Sequence, residues 1–347
     1  MTPKYKDVPD STLLEMGRQS GVGLHISSLP GPHGIGDIGD GAYRFLDQME
    51  EMGVRVWQFL PTGPTAYGDS PYQPLSAFAG NAMLVGMEPL VRLGLLSARD
   101  LEPLGALPRD YVDYGRLIPM KRALLQKAAH SLSNRSGNGL TAEYEAFQHQ
   151  HGEAWLEDYA MFRVLKTLHG ERAWPEWEKA YVHRDSSALD KIRNAHRESI
   201  ERTRVTQFLF WHQWQQFNTA ASNKGICLFG DMPIYIALDS ADAWSHPELL
   251  LIDEDGQPYN VAGVPPDYFS EDGQLWGNPL YDWAYHKRSG YRWWIERMQH
   301  AAKLSHLVRV DHFRGFESYW SVRNGSETAR GGEWLPGPGD SLFEAMR

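Results

Sequence analysis

The sequence predicts an α/β fold with parallel strands, and three stretches carry that expectation. Residues 22–30 read as a strand, Ile38, Ala42, Phe45, Leu46 and Met49 recur at helical spacing, and residues 54–60 read as a second strand. Strand, amphipathic helix and strand in so short a stretch make a βαβ unit with parallel strands and a right-handed crossover. Farther on, residues 226–235 form an apolar run around Asp231, and residues 307–316, LVRVDHFRGF, begin as a buried strand and turn polar at once.

Size allows one barrel with an insertion, or two domains: 347 residues, 42% of them apolar, bury a large core. A formal charge of −10, with 44 acidic against 34 basic residues and no basic run, excludes nucleic acid as an expected partner. The first 19 residues lack the apolar core of a signal peptide, and nowhere is an apolar run long enough to span a bilayer, so no membrane association is expected. The single Cys227 permits no intrachain disulfide, reads as packing inside a strand, and fits a cytoplasmic protein. No obligate protein partner is evident. Thirteen Trp and sixteen Tyr could stack on sugar rings or fill the core.

Taken in order, the first helix has Asp40 as its expected N-cap and Gly53 as its C′ residue. Residues 61–90 are too rich in Gly, Pro, Ser and Asn for a regular element, and long loops of this kind are often functional. From about 91 to 224 the pattern is helical, with residues 131–139, SLSNRSGNG, as the softest joint and Gly225 ending the last helix. Residues 253–256 resemble a hairpin tip rather than a calcium loop, whose other ligand positions are absent. Residues 261–279 read as a second Pro/Gly-rich loop, and Trp294, Ile295 and Met298 mark a helix leading into the strand at 307.

Gly34-Ile-Gly36-Asp-Ile-Gly39 matches the dinucleotide fingerprint but is set aside. Asp37 and Asp40 would place negative charge against a pyrophosphate, and no acidic residue closes the second strand. A catalytic reading centres instead on Asp311. It stands where a parallel strand ends, and Arg309, two residues earlier, projects from the same face. An arginine beside a carboxylate favours its charged form, which suits a nucleophile. The same residues also fit an Asp-Arg pair that merely closes a strand.

Six motifs taken together, HISSLPGPHGIGD, YGDSPYQPLSAFAGN, GDMPIY, AGVPPDYFS, WGNPLY and RVDHFRGF, resemble the amylomaltases, the 4-α-glucanotransferases among the retaining α-glucan enzymes. The resemblance implies a (β/α)8 barrel with helical insertions. It assigns residues 1–90 to the first part of the barrel, 91–224 to a mainly helical insertion, and 225–347 to the third and fourth strands with active-site loops. It implies transfer of α-1,4-glucan segments between maltooligosaccharides through a covalent glucosyl-enzyme on Asp311. Arg309 and His312 would lie beside the nucleophile, Tyr72 and Asp231 would border the sugar at the cleavage point, Asp267 and Trp276 would belong to the loop and floor on the acceptor side, and Asn278 would be a further substrate-binding residue. No metal or organic cofactor is needed.

The chain departs from that pattern in one respect. The family's acid/base glutamate, in a motif resembling AEDLG, and a third sugar-binding aspartate are both absent. Only the first four barrel strands are recognisable, and an amino-terminal portion of a longer protein is expected. The alternatives are an α-glucan hydrolase using the same carboxylates, or an inactive glucan-binding fragment.

Overall fold

The computed structural model describes residues 17–65, 69–134 and 139–347. Residues 1–16, Tyr67 and residues 135–138 of the expected soft joint lie outside the described residues. The strands are β1 (Gly21–Gly23), β2 (Val56–Gln58), β3 (Cys227–Pro233), β4 (Asn260–Val264), β5 (Gln274–Pro279), β6 (Leu307–Asp311), β7 (Ser318–Arg323) and β8 (Glu333–Pro336). Four of them form one parallel sheet in the order β1-β2-β3-β6, in which Asp231 pairs with Arg309 and Pro233 with Asp311. This is the sheet of a (β/α)8-type α/β fold through its first four strands, and their carboxyl ends share one edge.

The crossover helix Asp40–Glu51 buries Ala42, Leu46 and Met49, as its spacing predicts. Trp57 of β2 is fully enclosed between Phe45 of that helix and Phe217 of the helix Arg197–Asn223, and its indole N–H donates to the Leu24 carbonyl at 2.8 Å. Gly53 and Gly225 take left-handed φ values of 70° and 64° where the helices before them end. Between β2 and β3 the chain is mainly helical, with long helices at Tyr114–Ser133, Gly139–His151, Glu157–Leu168 and Arg197–Asn223.

Two glutamines of the helix Arg197–Asn223 hold the irregular loop at 61–86. Gln207 exchanges hydrogen bonds with the N–H and C=O of Gly80 (2.8 and 2.9 Å), and Gln213 does the same with Gly86 (2.7 and 3.0 Å). Asp242 accepts from the Ala77 N–H at 2.8 Å, and the Ala241 N–H donates to the Leu75 carbonyl at 2.8 Å. Polar backbone that would otherwise be orphaned is thus satisfied by side chains, which makes a buried loop affordable.

Several expectations are corrected. The N-cap of the first helix is Gly39; Asp40 is its first residue and pairs with Arg92 at 2.8 Å, because the extended backbone position falls one residue earlier. The first strand stops at Gly23, and Ile26–Ser28 turns as a 3-10 helix. Residues 261–279 are not one loop: they carry most of β4 and all of β5, which join β7 and β8 in an antiparallel sheet of order β5-β4-β7-β8. Short strands punctuated by Gly and Pro show no alternation that a pattern search could catch. The tip at 253–256 is a hairpin, with Asp253 Oδ1 accepting from the Asp255 and Gln257 N–H groups. Among the described residues no helix is long and apolar enough to cross a membrane.

Neutral histidines are built into the core. His151 and His300 lie 6.2 Å apart among Phe147, Trp155, Trp211 and Phe78. Burial lowers His151 to about 4 and His300 to about 3, with Lys303 adding a smaller push, and burial lowers His25 and His286 to about 4. A base whose folded pKa lies below its unfolded value of 6.5 leaves stability intact above that pH and withdraws it as pH falls toward the folded value. Each such group removes about 1 kcal/mol per pH unit below its unfolded pKa. The melting temperature should therefore fall steeply from pH 6 to pH 4, and His300→Phe should flatten that slope; an unchanged slope in a folded variant would refute the assignment.

Candidate active site

The parallel register sets the site. Asp231 and Arg309 are direct partners across β3 and β6, so both project from one face, and Asp311 follows two residues on. The Arg309 guanidinium lies between the two carboxylates. One nitrogen donates to Asp231 Oδ1 and Oδ2 at 2.8 and 2.9 Å, and the other donates to Asp311 Oδ1. Tyr72, delivered by the loop at 61–86, donates its hydroxyl to Asp231 Oδ2 at 2.8 Å. Burial first, then the hydrogen bond and charge of Asp231 and the charge of Asp311, push the Tyr72 hydroxyl up to about 12, so it stays a donor. The Asp231 side chain is almost wholly enclosed (1% exposed), whereas that of Asp311 is 35% exposed. Asp311 Oδ2 accepts no hydrogen bond from a described residue.

The end of β3 is pinned from behind. Arg297 is buried against Trp293 and Trp294 and donates to the Pro233 carbonyl at 2.5 Å and the Ile234 carbonyl at 2.9 Å. Gly230 leaves no choice of residue, since a Cβ there would stand 2.5 Å from Ser305 Oγ.

His312 follows Asp311 with a left-handed φ of 53°, which turns its ring edge-on to Trp276 at 4.9 Å and toward Tyr235. Burial lowers its pKa and Asp311 partly opposes that, leaving a neutral imidazole whose Nε2 is enclosed without a partner. Trp276, on β5, is therefore brought to the neighbour of Asp311. Asn278 is buried, and its amide is taken up by protein: it exchanges hydrogen bonds with Gln73 (2.9 and 3.3 Å) and donates to the Ile236 carbonyl at 2.9 Å. It positions the Tyr72 loop instead of presenting polar atoms to a ligand. Asp267 is not joined to the carboxylates; its Oδ1 accepts from the Phe269 and Ser270 N–H groups and shapes a turn that leaves Tyr268 and Phe269 fully exposed. Sequence reasoning missed Gln73, Arg297 and Tyr235, although Gln73 and Tyr235 both sit inside motifs it had singled out.

The rejected fingerprint also has a structural account. A Cβ on Gly36 would stand 2.1 Å from the Ile26 carbonyl oxygen, so this glycine permits chain packing, not phosphate approach. Nearby, His33, Asp37 and Glu88 offer metal-type ligand atoms within 4.8 Å of one another. The fully buried Lys121 ammonium lies 3.0 Å from Asp37 and already supplies the positive charge that the cluster needs.

Residues 24–347 match the profile of glycoside hydrolase family 77, 4-alpha-glucanotransferase. The chain is 44% identical over 335 residues to the 4-alpha-glucanotransferase of Thermus thermophilus, covering 96% of this chain and 66% of that protein. It is 45% identical over 332 residues to the 4-alpha-glucanotransferase of Streptococcus pneumoniae serotype 4, with 95% and 65% covered. It superposes on the amylomaltase of Streptococcus agalactiae solved in complex with acarbose with a TM-score of 0.91 at 42% identity, covering 95% of this chain and 66% of that one. The chain thus spans just under two thirds of the length of these relatives.

Removing the guanidinium should expose what it does. Arg309→Met leaves the enclosed Asp231 facing Asp311 without a counter-charge. Because Arg309 is 40% exposed, the loss falls below the usual range for a broken buried pair, about 2 kcal/mol at neutral pH. Urea unfolding should show Arg309→Lys, which keeps a positive charge, recovering part of this loss; equal losses for the two variants would mean that Arg309 contributes packing and not charge.

Proposed function

This chain belongs to the 4-alpha-glucanotransferase family, and on that premise we propose that the whole protein transfers α-1,4-glucan segments between maltooligosaccharides with retention, through a glucosyl-aspartate on Asp311. The observation that carries the proposal is the Asp311 carboxylate itself: anchored through Oδ1 to Arg309, open at Oδ2, and part-exposed where a parallel strand ends. In the first step Oδ2 bonds to the anomeric carbon as the glycosidic bond breaks, and the leaving oxygen takes a proton from a general acid. In the second step the 4-hydroxyl of an acceptor glucan attacks that carbon, releases Asp311, and returns its proton to the same group.

Asp231 does not supply that proton. It accepts twice from Arg309 and once from Tyr72, an environment made for a charged acceptor. We assign it, with Tyr72, to the sugar at the cleavage point, and Trp276 and His312 to an apolar wall beside it. Asp267 and the exposed Tyr268 and Phe269 belong to the loop where acceptor sugar and water compete for the intermediate. Retaining enzymes need a second carboxyl about 5 Å from the nucleophile. The AEDLG-like motif that the resemblance assigns to it does not occur in this chain. Transfer is therefore proposed for the whole protein, and glucan binding without turnover for these 347 residues alone. A cytoplasmic location and a role in maltodextrin, starch or glycogen metabolism belong to the same reading.

Incubated with maltotriose, the whole enzyme should yield glucose together with maltodextrins longer than the substrate; glucose and maltose alone would overturn transfer in favour of hydrolysis. Asp311→Asn keeps the shape and removes the nucleophile, and should lower turnover by roughly 10³-fold or more while the melting temperature stays close to that of the parent. Calorimetry with maltoheptaose on the 347-residue chain should show saturable binding without product.

A further inference from the structure

The helical region holds a second recess that the proposed reaction does not use. A cavity of about 290 Å³ opens between the helices Tyr114–Ser133, Glu157–Leu168 and Arg197–Asn223. Arg122, Arg163, Arg202 and His196 stand in its wall together with Tyr159 and several Ser and Thr hydroxyls, and no acidic side chain lines it. The chain as a whole carries a net charge of −10, so three guanidiniums in one concavity reverse the local sign. A cavity of about 360 Å³ elsewhere has the opposite balance, with Glu153, Asp158, Asp242, Glu248 and Glu296 in its wall against Arg292.

The positive charge is only partly met by protein. Arg163 donates to both oxygens of Glu171 at 3.1 Å, and the same carboxylate stands 4.0 Å from Arg122. Arg202 donates to Ser199 Oγ at 2.7 Å, and its one ion pair is with Glu198 at 3.5 Å, whose side chain is 92% exposed. One well-placed carboxylate thus serves two guanidiniums, and burial, then the charge of Arg163, lower the pKa of Arg122. Tyr159 is buried (5% exposed) and lines the cavity, and its hydroxyl donates to no described side chain or carbonyl, which leaves it open to the cavity. The helix Arg197–Asn223 also begins here, with its N-cap His196 and first-turn Ser199 in the wall; His196 ends the helix Ser186–Ala195 as well, so the two dipole ends offset each other and the side chains carry the local charge.

We propose that this cavity binds a small phosphorylated metabolite, a phosphate monoester on a sugar-sized body, clamped by Arg122 and Arg202 with Tyr159 donating to a phosphate oxygen. Two guanidiniums and a hydroxyl converging from three helices suit a three-oxygen dianion better than a planar carboxylate. The volume lies at the small end of ligand pockets, which favours a sugar phosphate over a nucleotide. Arg163 is held by Glu171 and serves to place the others.

The test is calorimetry and thermal shift at low salt with inorganic phosphate and glucose 6-phosphate as probes, against maltose and a sodium chloride control of matched ionic strength. Both phosphates should bind saturably and raise the melting temperature, with glucose 6-phosphate the tighter. The double variant Arg122→Gln/Arg202→Gln should weaken both by roughly 30-fold or more, as expected for charge-assisted bonds, with its ligand-free melting temperature unchanged. Tyr159→Phe should cost about 5-fold and decides the matter if the double variant does not fold. Absence of saturable binding by either probe, or affinity that survives these substitutions, would overturn the proposal.

Discussion

One guanidinium between two carboxylates is the interaction on which the site depends. Arg309 holds Asp231 with two hydrogen bonds and Asp311 with a third, so two like charges share one face of the sheet without repelling each other apart. That arrangement exists only in the parallel register that sets Asp231 opposite Arg309. A slip of one residue would turn every side chain of β6 to the other face and dissolve the cluster. Gly230, which has room for no Cβ against Ser305, and Arg297, which grips the Pro233 and Ile234 carbonyls, hold β3 where the register requires it.

Around that fixed edge the protein places groups on irregular backbone and then takes away its freedom. The loop at 61–86 has little regular structure, yet Gln207 and Gln213 pair with its backbone as a neighbouring strand would, and Gln73 and Asn278 lock its Tyr72-bearing portion to β5. Irregular chain fixed in this way presents Tyr72 with the precision of a strand residue, because the entropy that a free loop would keep is already lost on folding. The helical region is therefore part of the site's mechanics, since the helix Arg197–Asn223 carries both glutamines.

That same helix also lines the cationic cavity, along its first half. Its N-terminal turn meets the arginine-lined wall, and Gln207 both lines the cavity and pairs with Gly80.

The sequence by itself determined the βαβ start, the parallel α/β class, and the shared face of Arg309 and Asp311, because these follow from local periodicity. Arg309 and Asp311 two residues apart in a strand must share a side, and the motif resemblance added Tyr72, Asp231 and Trp276. Only the tertiary structure decided the rest. The antiparallel sheet of β4, β5, β7 and β8 was hidden because its strands are short and broken by Gly and Pro, and their pairing is stabilised by partners distant in the chain. The Asn278 amide is taken up by Gln73 and the Ile236 carbonyl, partners that no spacing rule connects to it. Arg122, Arg163 and Arg202 converge because three helices pack, and convergence of that kind is a property of packing geometry, which a linear pattern does not encode.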